Sequence, residues 1–459
     1  MPMRPLRFLA TACVLLAAAL PASAQQKPTA FTGATIIPIA GEPIENGTLV
    51  VHEGRIIAVG AADAVEIPEG AERIDAAGKT IMPGLVDTHS HIGGPGGGDR
   101  SGPIHPDVRV LDAINVRDSG FMRAKAGGLT TLNVMPGSGH LMSGQTIYLK
   151  LRDEPQLIDD LFIVDEGGKP TGGMKMANGT NPIGDPPFPG TRGKAAALVR
   201  QHFIRAMEYR EKLRRGEAGG ENADTQPADG SATEPSTGPT TQPAARDLGM
   251  EAMLEVLDGK RIVHHHTHRA DDIATVLRLK EEFGFRVVLH HVSEAAKMAD
   301  EIAAAGVPAS IILVDAPGGK LEALELVHEN APAMEEAGVL TAFHTDDYIT
   351  DSRLFLRMAA MGVRAGMSRE AALEALTING ARMMDLGDRI GTLEPGKDAD
   401  FIVLSGDPLS VYTHVEQTWI EGEKVFDLAD EADRLYAVGG YGAGDDTEPY
   451  LCCAEHAQE

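Results

Sequence analysis

Residues 81–92, reading IMPGLVDTHSHI, constrain this 459-residue chain more than any other stretch. A short apolar run rich in branched side chains ends there in His89 and His91. Side chains at i and i+2 of a strand share a face, so both imidazoles can reach one metal ion. Apart from Pro83 and Gly84, residues 81–86 suit a strand buried on both sides, and the histidines then stand where it ends. In an α/β barrel that end is where active sites are assembled. A lone His-x-His is a weak signal, so its weight depends on the rest of the chain.

Four further segments place ligand-type residues at the ends of apolar runs. Residues 261–268 read RIVHHHTH, and residues 286–291 read RVVLHH ahead of a helix-like VSEAAKMADEIAAAG. Residues 339–346, VLTAFHTD, close on an acid, and residues 173–177, GMKMA, hold a lysine in an apolar pentad. Alternation puts His264, His266 and His268 on one face of a strand and His265 on the other. His290 and His291 should point oppositely, and periodicity alone does not choose between them.

With these segments in place the chain resembles the amidohydrolase superfamily, in particular its imidazolonepropionase-like and dipeptidase-like branch. The likeness runs over roughly residues 31–426 and includes residues 378–408, INGARMMDLGDRIGTLEPGKDADFIVLSGDP, similar to the stretch by which such chains leave the barrel. The resemblance implies a (β/α)8 TIM-type barrel with a small β-sandwich built from both chain ends. It implies a metal centre held by His89 and His91, His266 of HTHRADDI, His291 of HHVSEA and Asp346 of HTDD. Lys175 takes the position from which a carboxylated lysine bridges two metals. His264 and His268 compete with His266, and His290 with His291. His140, His268 and Arg269 are weaker candidates for substrate contact, and Arg109, Arg192 and Tyr148 offer no decisive selector.

Composition fits a secreted soluble enzyme. Arg4 and Arg7 precede an apolar run over residues 8–20 and then PASAQQ, the layout of a cleavable signal peptide over residues 1–24. Its loss removes two arginines and takes the formal charge from −26 to −28. Such acidity argues against nucleic-acid or anionic-lipid partners, and no stretch approaches the ~20 apolar residues of a membrane helix. A homo-oligomer stays open. Cys13 belongs to the leader, and only Cys452 and Cys453 remain, adjacent in a tail, so no disulfide framework supports the fold.

The expected division is a sandwich part over residues 25–82, a hydrolase barrel over 83–385, a second sandwich part over 386–430, and a mobile tail over 431–459. Residues 216–245 are nearly free of large apolar side chains and rich in Gly, Pro, Thr and acids, so they read as a disordered insertion in the barrel. Helical texture covers residues 112–126, 191–215, 271–283, 293–305, 352–365 and 368–377. Trp419 reads as sandwich core. The Gly-rich runs 91–103 and 136–145 lack a P-loop pattern and read as barrel loops.

Neutral imidazoles and a carboxylate suit zinc and similar divalent ions, one or two per chain. A bound ion lowers the pKa of water to about 7, and Asp346 can take the proton as that water attacks. The function expected is hydrolysis of an amide in a small peptide-like or cyclic substrate. A deaminase or lactonase on the same scaffold is the alternative, and a catalytically silent barrel is disfavoured by retention of every ligand type.

Overall fold

The computed structural model describes residues 27–215, 246–314, 320–347 and 349–439. The expected leader, the insertion at 216–245 and the Cys452–Cys453 pair lie outside the described residues.

The chain opens with β1 (Thr29–Ile36), β2 (Ile44–His52), β3 (Arg55–Ala61), β4 (Glu72–Asp75) and β5 (Thr80–Pro83). A middle set follows: β6 (Leu85–Ser90), β7 (Leu129–Val134), β8 (Met142–Gln145), β9 (Ile147–Lys150), β10 (Met174–Ala177), β11 (Val263–Thr267), β12 (Val287–His291), β13 (Ala309–Ile311) and β14 (Thr341–Phe343). It closes with β15 (Phe401–Leu404), β16 (Val415–Ile420) and β17 (Glu423–Asp427). The helices are α1 (Ser119–Ala126), α2 (Arg192–Arg215), α3 (Leu248–Leu257), α4 (Ala270–Phe283), α5 (Ala299–Ala304), α6 (Asn330–Glu336), α7 (Phe355–Ala365), α8 (Arg369–Leu376), α9 (Ile378–Met383) and α10 (Glu431–Val438).

Both chain ends share one eight-stranded sheet, ordered β17-β16-β15-β5-β1-β2-β3 with β4 on β1. The seam is antiparallel, Phe401 opposite Pro83 and Leu404 opposite Thr80. Two strands separate β1 from β16, which in a flat sheet is roughly 14 Å. Yet the Phe31 and Trp419 rings lie 5.1 Å apart, and Phe401 is 5.0 Å from Phe31. The sheet therefore curls around its own core, where Trp419 packs with Leu49, Ile81 and Val403. The expected sandwich takes the form of one bent sheet.

The middle strands form a six-stranded sheet, β14-β13-β12-β11-β10-β8, and a three-stranded one, β6-β7-β9. These sheets meet at both margins: Thr146 alone separates β8 from β9, and a parallel bridge joins Ser90 to Asp347 just beyond β14. β10 to β14 run parallel to one another, as β6 does to β7. The barrel loop expected over residues 136–145 is corrected at its end, where residues 142–145 form β8, and β8 and β9 run antiparallel to β10 and β7. No helical period exists there, and Gly144, at φ 127°, packs against the Val108 carbonyl where a Cβ would lie 2.6 Å away.

Helices cover the outside by their apolar stripes. Ile273, Val276 and Leu279 of α4 are buried at helical spacing, and Gly284 ends the helix at φ 73°. Ser368 caps α8 by accepting from the Ala371 amide, as a serine before an apolar period should. One expectation is corrected at the C-terminus. Residues 431–438, assigned to a mobile tail, form α10, because Asp430 accepts from the amides of Ala432 and Asp433 and the helix lies against α1. Among the described residues no helix is long and apolar enough to cross a membrane.

A buried ionic group ties the middle sheets to the curled one. Lys150, ending β9, is ion-paired with Asp398, with Asp400 at 3.0 Å and with Glu421 at 3.1 Å, and Arg152 reaches Glu421 at 2.7 Å.

Candidate metal centre

Every side chain of β6 is buried, and its last turn delivers His89 and His91 to the same point. Their Nε2 atoms are 3.3 Å apart, and Asp346 Oδ1 lies 3.3 Å from the first and 3.0 Å from the second. Asp87 builds this alignment. Its carboxylate accepts from the His89 amide at 3.0 Å and from the Thr345 hydroxyl at 2.5 Å, tying the histidine strand to the segment that carries Asp346. The Asp346 amide in turn donates to the His89 carbonyl at 3.0 Å. Burial pushes the Asp87 carboxyl up to about 7 despite these bonds.

The histidines of β11 divide by height. His264 lies deep, its Nε2 2.9 Å from the Tyr148 hydroxyl and its Nδ1 2.9 Å from His290 Nε2, so both nitrogens are occupied beneath the site. His266 lies above, with its ring 4.5 Å from that of His291. His268 stands 4.6 Å from His266 and bonds Ser293 Oγ through Nδ1 at 2.5 Å. His265 faces outward, toward a cavity between α2 and α4.

Strand alternation misreads the end of β12. His290 and His291 both turn inward, their rings 4.9 Å and 4.8 Å from that of His89. The cause is the backbone: His291 has φ 70° and Val292 φ 40°, which breaks the pleat. Asp346 likewise has φ 48°. Non-glycine residues in this region are strained, and strain held at converging side chains is a mark of a functional site.

Lys175 reaches the same group from β10, its Nζ 3.0 Å from His89 Nε2 and 3.2 Å from Met135 Sδ. Complete burial brings its ammonium down to about 7, near enough to neutrality for a carbamate. The pairing geometry agrees, since Lys175 is opposite His264 in the register of β10 and β11. Gly173, just before, packs so closely on His264 and the Ile262 carbonyl that a Cβ would fall within 2.5 Å of both.

Several participants carried no signal strong enough to single out. His344 stacks on His89 at 5.1 Å, donates to or accepts from His291 Nδ1 at 3.0 Å, and is held by Ser310 at 2.8 Å. It stands two residues before Asp346 on the same strand end, which is the signal that could have found it. Lys320, Glu322 and Asn181 form the rim beside His266, with Lys320 Nζ 3.2 Å from its Nε2. Two weaker candidates stand apart from the imidazoles. Arg269 is exposed and paired with Asp271 at 2.9 Å, because it precedes α4 and turns to that helix's first-turn acid. His140 is buried against Phe188 and His105, with ring distances of 5.2 Å and 5.8 Å.

The donor chemistry fits a divalent cation. Burial first, then neighbouring charge, drives His89, His266 and His291 well below the usual imidazole range, so they are neutral at pH 7 and able to donate a lone pair to a cation. Burial opposes ionisation of Asp346, but its hydrogen bond from His91 and the adjacent positive charge hold it below the ordinary carboxylate value. Three sets of donor atoms each cluster within 4.8 Å: His89, His91 and Asp346; His89, His291 and His344; His266, His268 and Glu322. Moreover, His291 Nε2 is buried with no hydrogen-bond partner among the described residues. Leaving such an atom unmatched costs about 1–3 kcal/mol, and an ion accepting its lone pair would remove that cost.

Comparisons with known proteins agree with this geometry. The model of the amidohydrolase family matches residues 80–425. The chain is 28% identical over 400 residues to Amidohydrolase tasK of Hapsidospora irregularis, a match covering 83% of this chain and only 40% of that longer protein. It is 26% identical over 398 residues to the imidazolonepropionase of Acidiphilium cryptum, covering 80% of this chain and 88% of that one. Among solved structures, the amidohydrolase of Thermotoga maritima MSB8 superposes with a TM-score of 0.74 at 33% identity, covering 87% of this chain and 100% of the other. These neighbours imply a TIM-barrel-type fold.

Proposed function

The chain belongs to the amidohydrolase family, and from that premise we propose that it is a zinc-dependent hydrolase of an amide bond in a small peptide-like or cyclic substrate. The observation that carries the reading is the carboxylate oxygen of Asp346 within 3.3 Å of both His89 and His91 Nε2. In this reading the middle sheets are a (β/α)8 barrel, and His89, His91, His266, His291 and Asp346 hold the metal at its mouth. Lys175, carboxylated, would help to hold a second ion. When bound, the metal would acidify water and polarise the substrate carbonyl. Asp346 receives the proton as water attacks and returns it to the leaving nitrogen. His344, fixed by Ser310, and Asp87, fixed by Thr345, hold the ligands in register. The apolar run over residues 8–20 behind Arg4 and Arg7 supports reading the enzyme as a secreted or periplasmic one.

A deaminase or lactonase is the second reading, because the same attack suits C=N and ester carbons. Ammonia release separates deamination from peptide cleavage.

Elemental analysis of protein purified without chelators tests the centre. One or two equivalents of zinc are expected, falling close to zero in the His89→Ala/His91→Ala double variant. Metal content unaffected by that change would sink the assignment.

A further inference from the structure

We propose that Lys320 binds a carboxylate of the substrate beside the bond to be broken, which narrows the substrate to N-acyl amino acids or dipeptides and rests on the amide-hydrolase reading above. Among the described residues the Lys320 ammonium has three partners: Asn181 Oδ1 at 2.8 Å, Glu322 Oε1 at 3.1 Å and His266 Nε2 at 3.2 Å. An ammonium only donates. His266 Nε2 therefore accepts, and the ring proton sits on Nδ1, which is buried without a partner.

That arrangement cannot persist once His266 ligates an ion. Ligation through Nε2 consumes the lone pair on which Lys320 leans. Ligation through Nδ1 moves the ring proton to Nε2, which then faces the ammonium donor to donor. By either route Lys320 keeps Asn181 and Glu322 and has one N–H left over beside the metal ligand. The Asn181 amide nitrogen, 3.3 Å from the same Nε2, is released with it.

Two donors thus become available at one spot, beside the place where the ion would sit. Glu322 and Asp272 together balance Lys320 and Arg192, with Arg192 reaching Asp272 at 2.9 Å and Glu322 at 3.1 Å, and Glu322 also accepts from the Thr180 amide at 2.9 Å. Asp346 is committed to His89 and His91. A divalent ion, offset only in part by the one charge of Asp346, would leave positive charge that a substrate anion can balance. Lys320 remains reachable, with 29% of its side chain exposed.

The test is calorimetric titration of the zinc-loaded full chain with N-acetylglycine and with N-acetylglycinamide, probes of equal shape that differ in charge. The acid should bind roughly 10–100-fold more tightly, the range for a charge-assisted hydrogen bond. Lys320→Met should bring the two within about threefold while zinc content and Tm stay at the parental values, and Lys320→Arg should keep most of the preference. An unchanged preference in Lys320→Met, or none in the parent, overturns the role of Lys320; should Lys320→Met not fold, the parental ratio and Lys320→Gln decide. Cleavage of a dipeptide panel is scored separately. A parent that prefers the acid but cleaves nothing keeps the anion site and loses the hydrolase reading, whereas cleavage without acid preference does the reverse.

Discussion

Asp346 is held at φ 48° by the bond from its amide to the His89 carbonyl, so its carboxylate is aimed by backbone strain as well as by the imidazoles. Asp346→Asn keeps that shape and removes the base. Turnover should fall by about 10²–10⁴, the usual share of a general acid–base group, with Tm near the parental value; near-parental turnover with normal metal content would move the proton shuttle to His268, His290 or Asp347. Lys175→Ala should lower metal occupancy from two to one per chain in bicarbonate with excess zinc, read by mass spectrometry. If occupancy stays at one in both proteins, the centre is mononuclear. Most of this cluster is legible in the sequence, because His89, His91, His266, His291 and Asp346 each close an apolar run and Lys175 interrupts one. What periodicity cannot reveal is a change of backbone handedness. His291 at φ 70° and Asp346 at φ 48° depart from the pleat, so counting by twos sends His290 and His291 to opposite faces when both turn inward. Lys320 was invisible for another reason: it acts from a loop, where no period marks which side chains converge.

Elements were readable where they carry a stripe or a cap. α2, α4 and α8 begin and end within a residue or two of the expected 191–215, 271–283 and 368–377. Ser368→Ala should cost about 1 kcal/mol, the usual worth of an N-cap, measured by urea unfolding at constant m. Residues 112–126 and 293–305 begin instead as 3-10 turns, at Val110–Asp112 and Ala295–Lys297, before short helices. Their apolar spacing is right, but their first turns lack a capping side chain and bury little beyond Val110 and Ala295. α2 and α3 flank residues 216–245, whose composition offers nothing to bury. Replacing that segment with a short linker should leave Tm and zinc content close to the parent, and a collapse of either would show that it docks.

Across the whole molecule, the Lys150 group is the polar joint between the middle sheets and the curled one. Burial raises the Glu421 carboxyl, but the Arg152 hydrogen bond and the Lys150 charge bring it down to about 2 from 4.5. A folded value below the unfolded one stabilises fully above pH 4.5 and is lost as pH falls toward 2. Glu421→Gln should therefore cost on the order of 2 kcal/mol at pH 7 and flatten the fall in stability across that acid window. Equal slopes in parent and variant would show that the joint contributes nothing.

The seam between β5 and β15 has a consequence for the order of events in synthesis. The first five strands leave the ribosome roughly three hundred residues before the strands that complete their sheet. Until then β5 carries an open margin, and Phe31 lacks the Phe401 and Trp419 rings that cover it. A nascent chain is thus kept from closing this sheet by its own topology until β15 to β17 emerge. Permuting the chain so that β15 to β17 precede β1 should abolish that delay, with nascent-chain protease resistance appearing before the middle strands are made.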